Sequence, residues 1–311
     1  MGFQDPNSGA AAVVYLVLYV ALLINSLVII IKYVGWKTRF TALFVFCIIR
    51  IASQICGIGF ATVSYGDFNW LIAYLVLGAE GYFVIVLSGF HFLCTFLERK
   101  LGETWLRPKL PAGLSKHQRL RTRLRSPAAI FHWMLIPANA ILIAGGTRTV
   151  GVPPDQFSTS PIVKSGEIMR CVGQAIFLAM TQFYGLCALH AAVVLKLKGP
   201  LLYAVLLTWP ILTVRGIYGI LSAVDPAFNY YNFNNYTDTG LSSGFITVEY
   251  VMATTMEFLA ATILLSQFWF DPEDWKRPGQ QAAENQESDE QGFNLTDATD
   301  KSKPVRESVE A

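Results

Sequence analysis

Charged residues are scarce in this chain. Only 15% of its 311 residues are Asp, Glu, Lys or Arg, whereas 53% are hydrophobic, and the mean hydropathy is +0.42. A soluble globular protein of this length carries more charge than this on its surface. The composition therefore excludes an ordinary soluble domain and predicts a polytopic membrane protein.

The sequence also lacks the motifs of several enzyme classes. It has no Gly-x-Ser-x-Gly nucleophile pattern and no phosphate-binding glycine loop. Its five cysteines all fall within apolar runs, so we expect no disulfide framework outside the membrane. We expect no enzymatic activity, no cofactor and no nucleic-acid partner.

Seven nearly charge-free runs are each long enough to cross the hydrocarbon core of a bilayer, which is about 30 Å thick. They cover residues 10–31, 40–63, 70–97, 127–147, 167–195, 200–224 and 244–268. The sequence thus predicts an all-α bundle of seven transmembrane helices over residues 10–270, after a short outer segment at 1–9. Residues 271–311 are polar and almost without aliphatic side chains, which predicts a disordered cytoplasmic tail.

The Lys and Arg residues indicate how the bundle is oriented. If the N-terminus is outside, the cytoplasmic segments hold 16 Lys or Arg, counted as far as Arg277, against two, Arg148 and Lys164, on the outer side. This bias predicts an outer N-terminus and a cytoplasmic C-terminus. Residues 1–9 contain no basic region, so we expect the first span to insert without a cleaved signal peptide.

Two Asn-x-Thr patterns offer a check on this orientation. Asn235 lies in a predicted outer loop and is expected to carry a glycan. Asn294 lies in the predicted cytoplasmic tail and is expected to stay unmodified.

Ionised residues occur inside the apolar runs, where an arginine costs about 2.5–3.5 kcal/mol even on lenient insertion scales. Arg215 in the sixth span therefore needs a partner. Counting the helix rise from the span ends brings Glu249 to the level of Arg215, and Arg50 to the level of Glu80 and near Glu257. We predict that Arg215 pairs with Glu249, and that Arg50 is shared by Glu80 and Glu257.

A polar stripe accompanies these charges, because Thr208, Arg215 and Ser222 recur at seven-residue spacing with Tyr218 beside them. Such a core serves either as a path or site for an ion, proton or ligand, or as a structural ion-pair network that fixes helix register. Both interpretations stay open at this point. The candidate site residues are Arg50, Glu80, Arg215, Tyr218, Glu249 and Glu257.

Three histidines raise the hypothesis of a metal centre. His91, His132 and His190 each lie five or six residues from the predicted cytoplasmic ends of spans three, four and five. Three imidazoles can hold a catalytic zinc ion with water as the fourth ligand. Their spacing matches no metal-binding motif, so we expect no metal site and keep an intramembrane metal-dependent hydrolase only as the last alternative.

Seven spans with an outer N-terminus are also typical of receptors. Glu98-Arg99-Lys100 ends the third span, where G-protein-coupled receptors carry an acidic-Arg-Tyr triplet, but the seventh span has no Asn-Pro-x-x-Tyr. A retinal protein is excluded because the seventh span has no lysine for a Schiff base.

The segments PILTVRGIYGILS, FCIIRIASQICGIG and VEYVMATTMEFLAATILL resemble a family of uncharacterised fungal seven-span membrane proteins, known as a domain of unknown function. The resemblance covers residues 10–270 and rests mainly on Arg50, Pro210, Arg215, Tyr218 and Glu257. The sequence is also distantly similar to fungal lipid-translocating exporter-like proteins. The resemblance implies a seven-helix fold and a fungal membrane location, but no activity.

Together these observations predict an integral membrane protein with a polar intramembrane core. Transport or translocation of a lipid-like or amphipathic small molecule is the leading hypothesis, and a seven-span receptor or sensor is the alternative. The expected partners are membrane lipids and a small amphipathic ligand. The expected location is the plasma membrane or an endomembrane.

Overall fold

The computed structural model describes residues 3–36, 38–63, 67, 69–102, 104–106, 126–148, 152, 159–238 and 240–271. Seven helices within these ranges are long and apolar enough to span a membrane. They are α1 (Pro6–Val34), α2 (Arg39–Val63), α3 (Asn69–Leu101), α4 (Pro127–Thr147), α5 (Pro161–Val193), α6 (Pro200–Val224) and α7 (Ser243–Phe270). The predicted all-α architecture with seven long apolar helices is confirmed, while membrane insertion and orientation stay predictions. The predicted tail from residue 272 onward, with Asn294, lies outside the described residues.

Four helices begin at a proline, namely α1, α4, α5 and α6. Proline suits the first turn because its φ angle is already helical and its missing N–H needs no partner there. Ser126 caps α4, since the Ala129 N–H donates to its Oγ at 3.3 Å. Helix α5 begins at Pro161 rather than at about 167, because the helix continues through the polar turn that contains Lys164.

Helices α1, α3, α5 and α7 begin at one end of the bundle, which we call the proximal end; the opposite end is the distal end. Asp5 connects three segments at the proximal end. Its N–H donates to the Ala61 carbonyl at 3.1 Å near the end of α2, and its Oδ2 accepts from the Leu241 N–H at 3.1 Å. Its Oδ1 also accepts from Ser8 N–H and caps α1.

The segment between α6 and α7 covers part of the proximal end. It contains a short antiparallel hairpin of β1 (Tyr236–Thr237) and β2 (Gly240–Leu241). The Tyr231 hydroxyl donates to the Gly146 carbonyl at 3.1 Å, which connects this segment to the end of α4.

Asn235, the predicted glycan acceptor, is hydrogen bonded within this segment. Its Nδ2 donates to the carbonyls of Pro226 and Asn229, both at 2.9 Å. An N-linked glycan replaces one of the two hydrogens on Nδ2, so modification would remove one of these bonds. Glycosylation of Asn235 stays a prediction, and it would cost the folded loop one hydrogen bond.

Helix α3 lies at the centre of the bundle and packs against α2, α4, α5, α6 and α7. Aromatic side chains fill the interior around it. Phe90 of α3 stacks on Phe131 of α4 with ring centroids 4.0 Å apart, and Phe177 and Tyr184 of α5 are fully buried. Apolar side chains such as Val17 of α1 face outward instead, as expected of a helix that contacts lipid.

Helices α1 and α7 each contain a π-helical turn, at Ile30–Val34 and Tyr250–Thr255. In a π turn the N–H bonds to the carbonyl five residues back, so the turn is wider than a regular one. The Thr255 hydroxyl donates to the Tyr250 carbonyl at 2.7 Å, and it is also hydrogen bonded to the Tyr15 hydroxyl. The π turn of α7 is therefore attached to α1.

Candidate functional site

Glu257 of α7 lies between two arginines from different helices. Its carboxylate is fully buried. Arg215 of α6 donates from Nε to Glu257 Oε1 at 2.6 Å, and Arg50 Nε of α2 lies 3.3 Å from Glu257 Oε2. We call these three residues the triad. With all three groups ionised, the triad carries a net charge of one positive unit.

Polar and aromatic groups surround both guanidinium groups of the triad. Arg50 donates from Nη2 to Thr254 Oγ1 at 3.1 Å and from Nε to the Tyr19 hydroxyl at 3.4 Å. The Arg50 guanidinium lies 5.5 Å from the centroid of the Tyr19 ring, and that of Arg215 lies 4.8 Å from the centroid of Tyr82. Cation–π contacts of this kind stabilise a desolvated arginine.

Glycines of α3 make room for the Arg50 side chain. A Cβ atom added at Gly81 would lie 2.6 Å from Arg50 Cδ and 3.2 Å from Glu257 Oε2. One added at Gly78 would lie 3.5 Å from Arg50 Nη1, an ordinary van der Waals contact. Gly81 is therefore the residue that allows α3 to pack against the triad.

The prediction that Arg215 pairs with Glu249 is wrong, since its partner is Glu257. The error came from the helix ends from which depth was counted, because both residues have to be measured from the same end of the bundle. Arg215 lies 15 residues from Pro200, the distal end of α6, and Glu257 lies 13 residues from Phe270, the distal end of α7. At 1.5 Å per residue these positions are about 22 and 20 Å from the same end, whereas Glu249 is about 32 Å away.

Glu249 is buried closer to the proximal end and is bonded to tyrosine. The Tyr74 hydroxyl donates to Glu249 Oε1 at 2.7 Å. Tyr230, from the segment between α6 and α7, also interacts with this carboxylate. Burial raises the pKa of Tyr230 well above its ordinary value of about 10, and the neighbouring Glu249 raises it further, so Tyr230 stays neutral.

The prediction that Arg50 is shared by Glu80 and Glu257 is correct for Glu257 only. Glu80 is half-buried and accepts a hydrogen bond from Asn139 Nδ2 of α4 at 2.5 Å. Gly81 is the α3 residue that faces Arg50. The residue before it points about 100° further around the helix, which turns Glu80 toward α4 and away from α2.

A partly open cavity of about 90 Å³ lies on the proximal side of the triad. Its volume is several times the roughly 10–15 Å³ that a single water molecule needs. Charged groups on its wall come from four helices, and they are Arg50, Arg170, Arg215 and Glu249. The predicted site residue Tyr218 also lines it, so the cavity brings together four of the six predicted residues.

Three buried polar groups of residues on the cavity wall have no hydrogen-bond partner among the described residues. They are the hydroxyl of Tyr218, which is 4% exposed, Oε1 of Gln174, which is 7% exposed, and Nε of Arg170. Leaving a buried polar atom unbonded costs about 1–3 kcal/mol. A ligand or water that bonds to these atoms would remove that cost.

Arg170 forms the rim of the cavity. Its Nη2 donates to Asn229 Oδ1 at 3.2 Å, and Asn229 Nδ2 donates to Glu167 Oε1 at 3.0 Å, so Asn229 bridges the two charges. The Arg170 guanidinium also lies 4.7 Å from the centroid of the Tyr231 ring. The rim therefore links α5 to the segment between α6 and α7.

Four residues of the site were not among the predicted site residues: Tyr74, Arg170, Gln174 and Tyr230. Gln174 had a signal, because it follows Arg170 by four residues and so shares its face of α5. The tyrosines had none, since tyrosine is common where helices enter the membrane interface.

The three histidines do not meet at one site. The rings of His91 and His132 face each other with centroids 5.9 Å apart, while His190 is exposed on α5. Within the described part of the chain, no group of three His, Cys, Asp or Glu side chains is placed to hold a metal ion.

The chain matches one known protein family over nearly the whole seven-helix bundle. The model of a family described as a domain of unknown function, DUF7702, matches residues 7–267. No curated protein and no solved structure matches the chain. The family match carries neither an activity nor a source organism, so fungal origin and similarity to lipid exporters stay predictions. Because the match covers nearly the whole seven-helix bundle, the chain is a member of the DUF7702 family.

Proposed function

We propose that this multi-pass membrane protein binds a small amphipathic molecule in the cavity beside the triad and translocates it across the membrane. The observation that carries the proposal is the cavity itself, which combines ionised side chains with three buried polar atoms that have no partner among the described residues. A purely structural ion-pair network needs no such space, because its groups are satisfied by one another.

The cavity wall is amphipathic, which supports a ligand of the same character. Its polar side comes from Arg50, Arg215 and the tyrosines. Its other side is formed by Ile72 and Val76 of α3 and Leu142 and Ile143 of α4. Ile72, Val76 and Ile143 are only half-buried, so an apolar chain held there reaches the lipid-facing surface.

A receptor or sensor is the second candidate. The packing on the distal side of the cavity favours it. Phe90 and Phe131 stack face to face on the distal side, and the fully buried Tyr184 lies close to Gly89 beside them. A transporter must open this layer to reach the other side of the membrane, as alternating access requires. A sensor can keep it closed.

The test is reconstitution of the purified protein into liposomes. Quenching of a fluorescent amphiphile from the outer side reports how much of the probe has crossed the bilayer. Protein-dependent crossing supports translocation. Saturable binding without crossing supports the sensor, and the absence of both refutes the proposal.

Location and orientation belong to the same proposal. The charge bias of the loops supports an outer proximal end and a cytoplasmic distal end. The cavity then faces the outer side of the plasma membrane or the lumen of an endomembrane.

A further inference from the structure

The charge balance of the cavity restricts the ligand that it accepts. Glu257 engages both arginines through their Nε atoms, so one carboxylate balances two guanidinium groups. Arg50 and Arg215 both reach the cavity, whereas Glu257 does not line it. One positive charge of the triad is therefore left for a group in the cavity.

The hydrogen-bond donors around the cavity also favour a negatively charged ligand. The unpartnered hydroxyl of Tyr218 lies on the same helix as Arg215, one turn closer to the proximal end. Nη1 of Arg215 lies beside Gly219, where a Cβ would approach it to 3.2 Å. Among the described residues, the terminal nitrogens of Arg215 make no hydrogen bond, since only its Nε is engaged. A hydroxyl and a guanidinium on one wall suit an oxyanion.

An ionised Glu249 would disfavour an anionic ligand in the cavity, whereas a protonated Glu249 would not. Its carboxylate lines the same cavity and has no cation within ion-pair distance among the described residues. An anionic head group beside an ionised Glu249 would meet a like charge in a desolvated site. The ionisable groups that interact with Glu249, from the helices and segment packed around it, are Arg50, Tyr74, Arg215, Tyr218, Tyr230 and Tyr250.

We infer that the cavity receives the head group of an amphiphile bearing one oxyanion, and that each head group enters together with one proton taken from water by Glu249. The inference rests on the proposed function and names the class of its ligand. The bound state is then electrically balanced, because the anion offsets the triad, the proton neutralises Glu249, and Arg170 is linked to Glu167 through Asn229. The apolar chain lies along Ile72, Val76 and Ile143.

The experiment measures binding of three probes with the same alkyl chain to the full-length protein in phosphatidylcholine nanodiscs. Decanesulfonate is a permanent oxyanion, decanol is uncharged and decyltrimethylammonium is a cation. We expect decanesulfonate to bind roughly tenfold to a hundredfold more tightly than the other two, as charge-assisted hydrogen bonds imply. Equal or tighter binding of decanol or of the cation overturns the inference but not the proposed function. Failure of all three probes to bind refutes the proposed function as well.

Tyr218→Phe tests the site without threatening the fold, because it removes a hydroxyl that has no hydrogen-bond partner among the described residues. We expect decanesulfonate binding to weaken by roughly threefold to tenfold, with decanol binding unchanged. Tyr203→Phe is the matched control, since Tyr203 lies on the same helix and is 55% exposed. Equal effects of the two variants on decanesulfonate contradict the inference.

Proton uptake by Glu249 is tested by measuring decanesulfonate binding as a function of pH. The sulfonate itself stays ionised throughout, so any pH dependence comes from the protein. Decanesulfonate affinity should fall by up to about tenfold per pH unit once Glu249 is ionised in the empty protein, and an indicator dye should report one proton taken up per probe bound. Glu249→Gln should bind decanesulfonate without this pH dependence. A pH-independent affinity in the unaltered protein, or proton uptake that persists in Glu249→Gln, overturns the role of Glu249.

Two natural sources of the oxyanion are distinguished by competition. Decanoate represents a free carboxylate, and didecanoylphosphatidylglycerol represents the phosphodiester of a lipid. The competitor that displaces decanesulfonate at the lower concentration identifies the source. Displacement by neither overturns the inference.

Discussion

Replacing Glu257 should destabilise the protein more than replacing either arginine of the triad. Glu257→Gln keeps the side-chain volume but leaves two like charges buried beside each other. At an effective dielectric constant of about 20, attraction at the observed 2.6 and 3.3 Å is worth about 6 and 5 kcal/mol before desolvation is counted. Breaking one buried ion pair costs about 3–5 kcal/mol net, so we expect a loss of about 5 kcal/mol.

Either arginine substitution leaves a smaller imbalance. Arg215→Leu retains the neutral pair of Arg50 and Glu257, and Arg50→Leu retains that of Arg215 and Glu257. The expected loss is then about 1.5–3 kcal/mol, the contribution of hydrogen bonds to a charged group. The measurement is the free energy of unfolding in mixed micelles, from a titration with dodecyl sulfate.

Glu249→Gln is the matched control on the same helix, because Glu249 is bonded to a tyrosine rather than to a cation. Combined with Arg215→Leu, it should give effects that add within about 0.5 kcal/mol, whereas Glu257→Gln and Arg215→Leu should be strongly coupled. A Glu257→Gln loss no larger than that of either arginine variant would refute the reasoning. Coupling of Arg215 to Glu249 rather than Glu257 would refute the observed pairing.

Two further predictions follow from the packing and the orientation. Gly81→Ala should lower stability by about 1–3 kcal/mol through overpacking against Arg50, while Gly78→Ala should be nearly neutral, as unfolding measurements in micelles will show. For the orientation, Asp238→Cys at the proximal end should react with a membrane-impermeant maleimide in intact cells, and Lys198→Cys at the distal end should react only after permeabilisation; the reverse pattern contradicts an outer proximal end. Asn235→Gln should remove any glycan detected by a glycosidase mobility shift, and a glycan that survives this substitution contradicts Asn235 as the acceptor.

The number of helices was predictable from sequence because hydrocarbon leaves the backbone few choices. Each span must satisfy all its backbone hydrogen bonds internally, so a long apolar run becomes a helix. Their ends were less predictable, as Pro161 shows, because a helix continues into polar sequence wherever a cap and hydrogen bonds allow it. Apolar length marks the hydrocarbon, not the end of the helix.

The charged residues of the site were also predictable, because each stands out in an apolar run. Their partners were not. Depth along a helix axis separates Glu249 from Glu257 only if the span ends are known, and it says nothing about rotation, which turned Glu80 toward Asn139. The cavity depends on interhelical distances and on small residues such as Gly219, and these follow from packing that a single sequence does not reveal.

The π turn of α7 determines how that helix presents its two glutamates. Glu249 and Glu257 are eight residues apart, which in a regular helix would place them about 80° apart around the axis. Because the wide turn at Tyr250–Thr255 absorbs one extra residue, the offset shrinks to about 20°, and both carboxylates face the interior. Deleting one residue here, such as the exposed Val251, would restore a regular helix and leave both carboxylates facing inward. The same deletion one turn beyond Glu257 would swing the rest of α7 by about 100°, so the helix tolerates a shorter chain at one place and not at another.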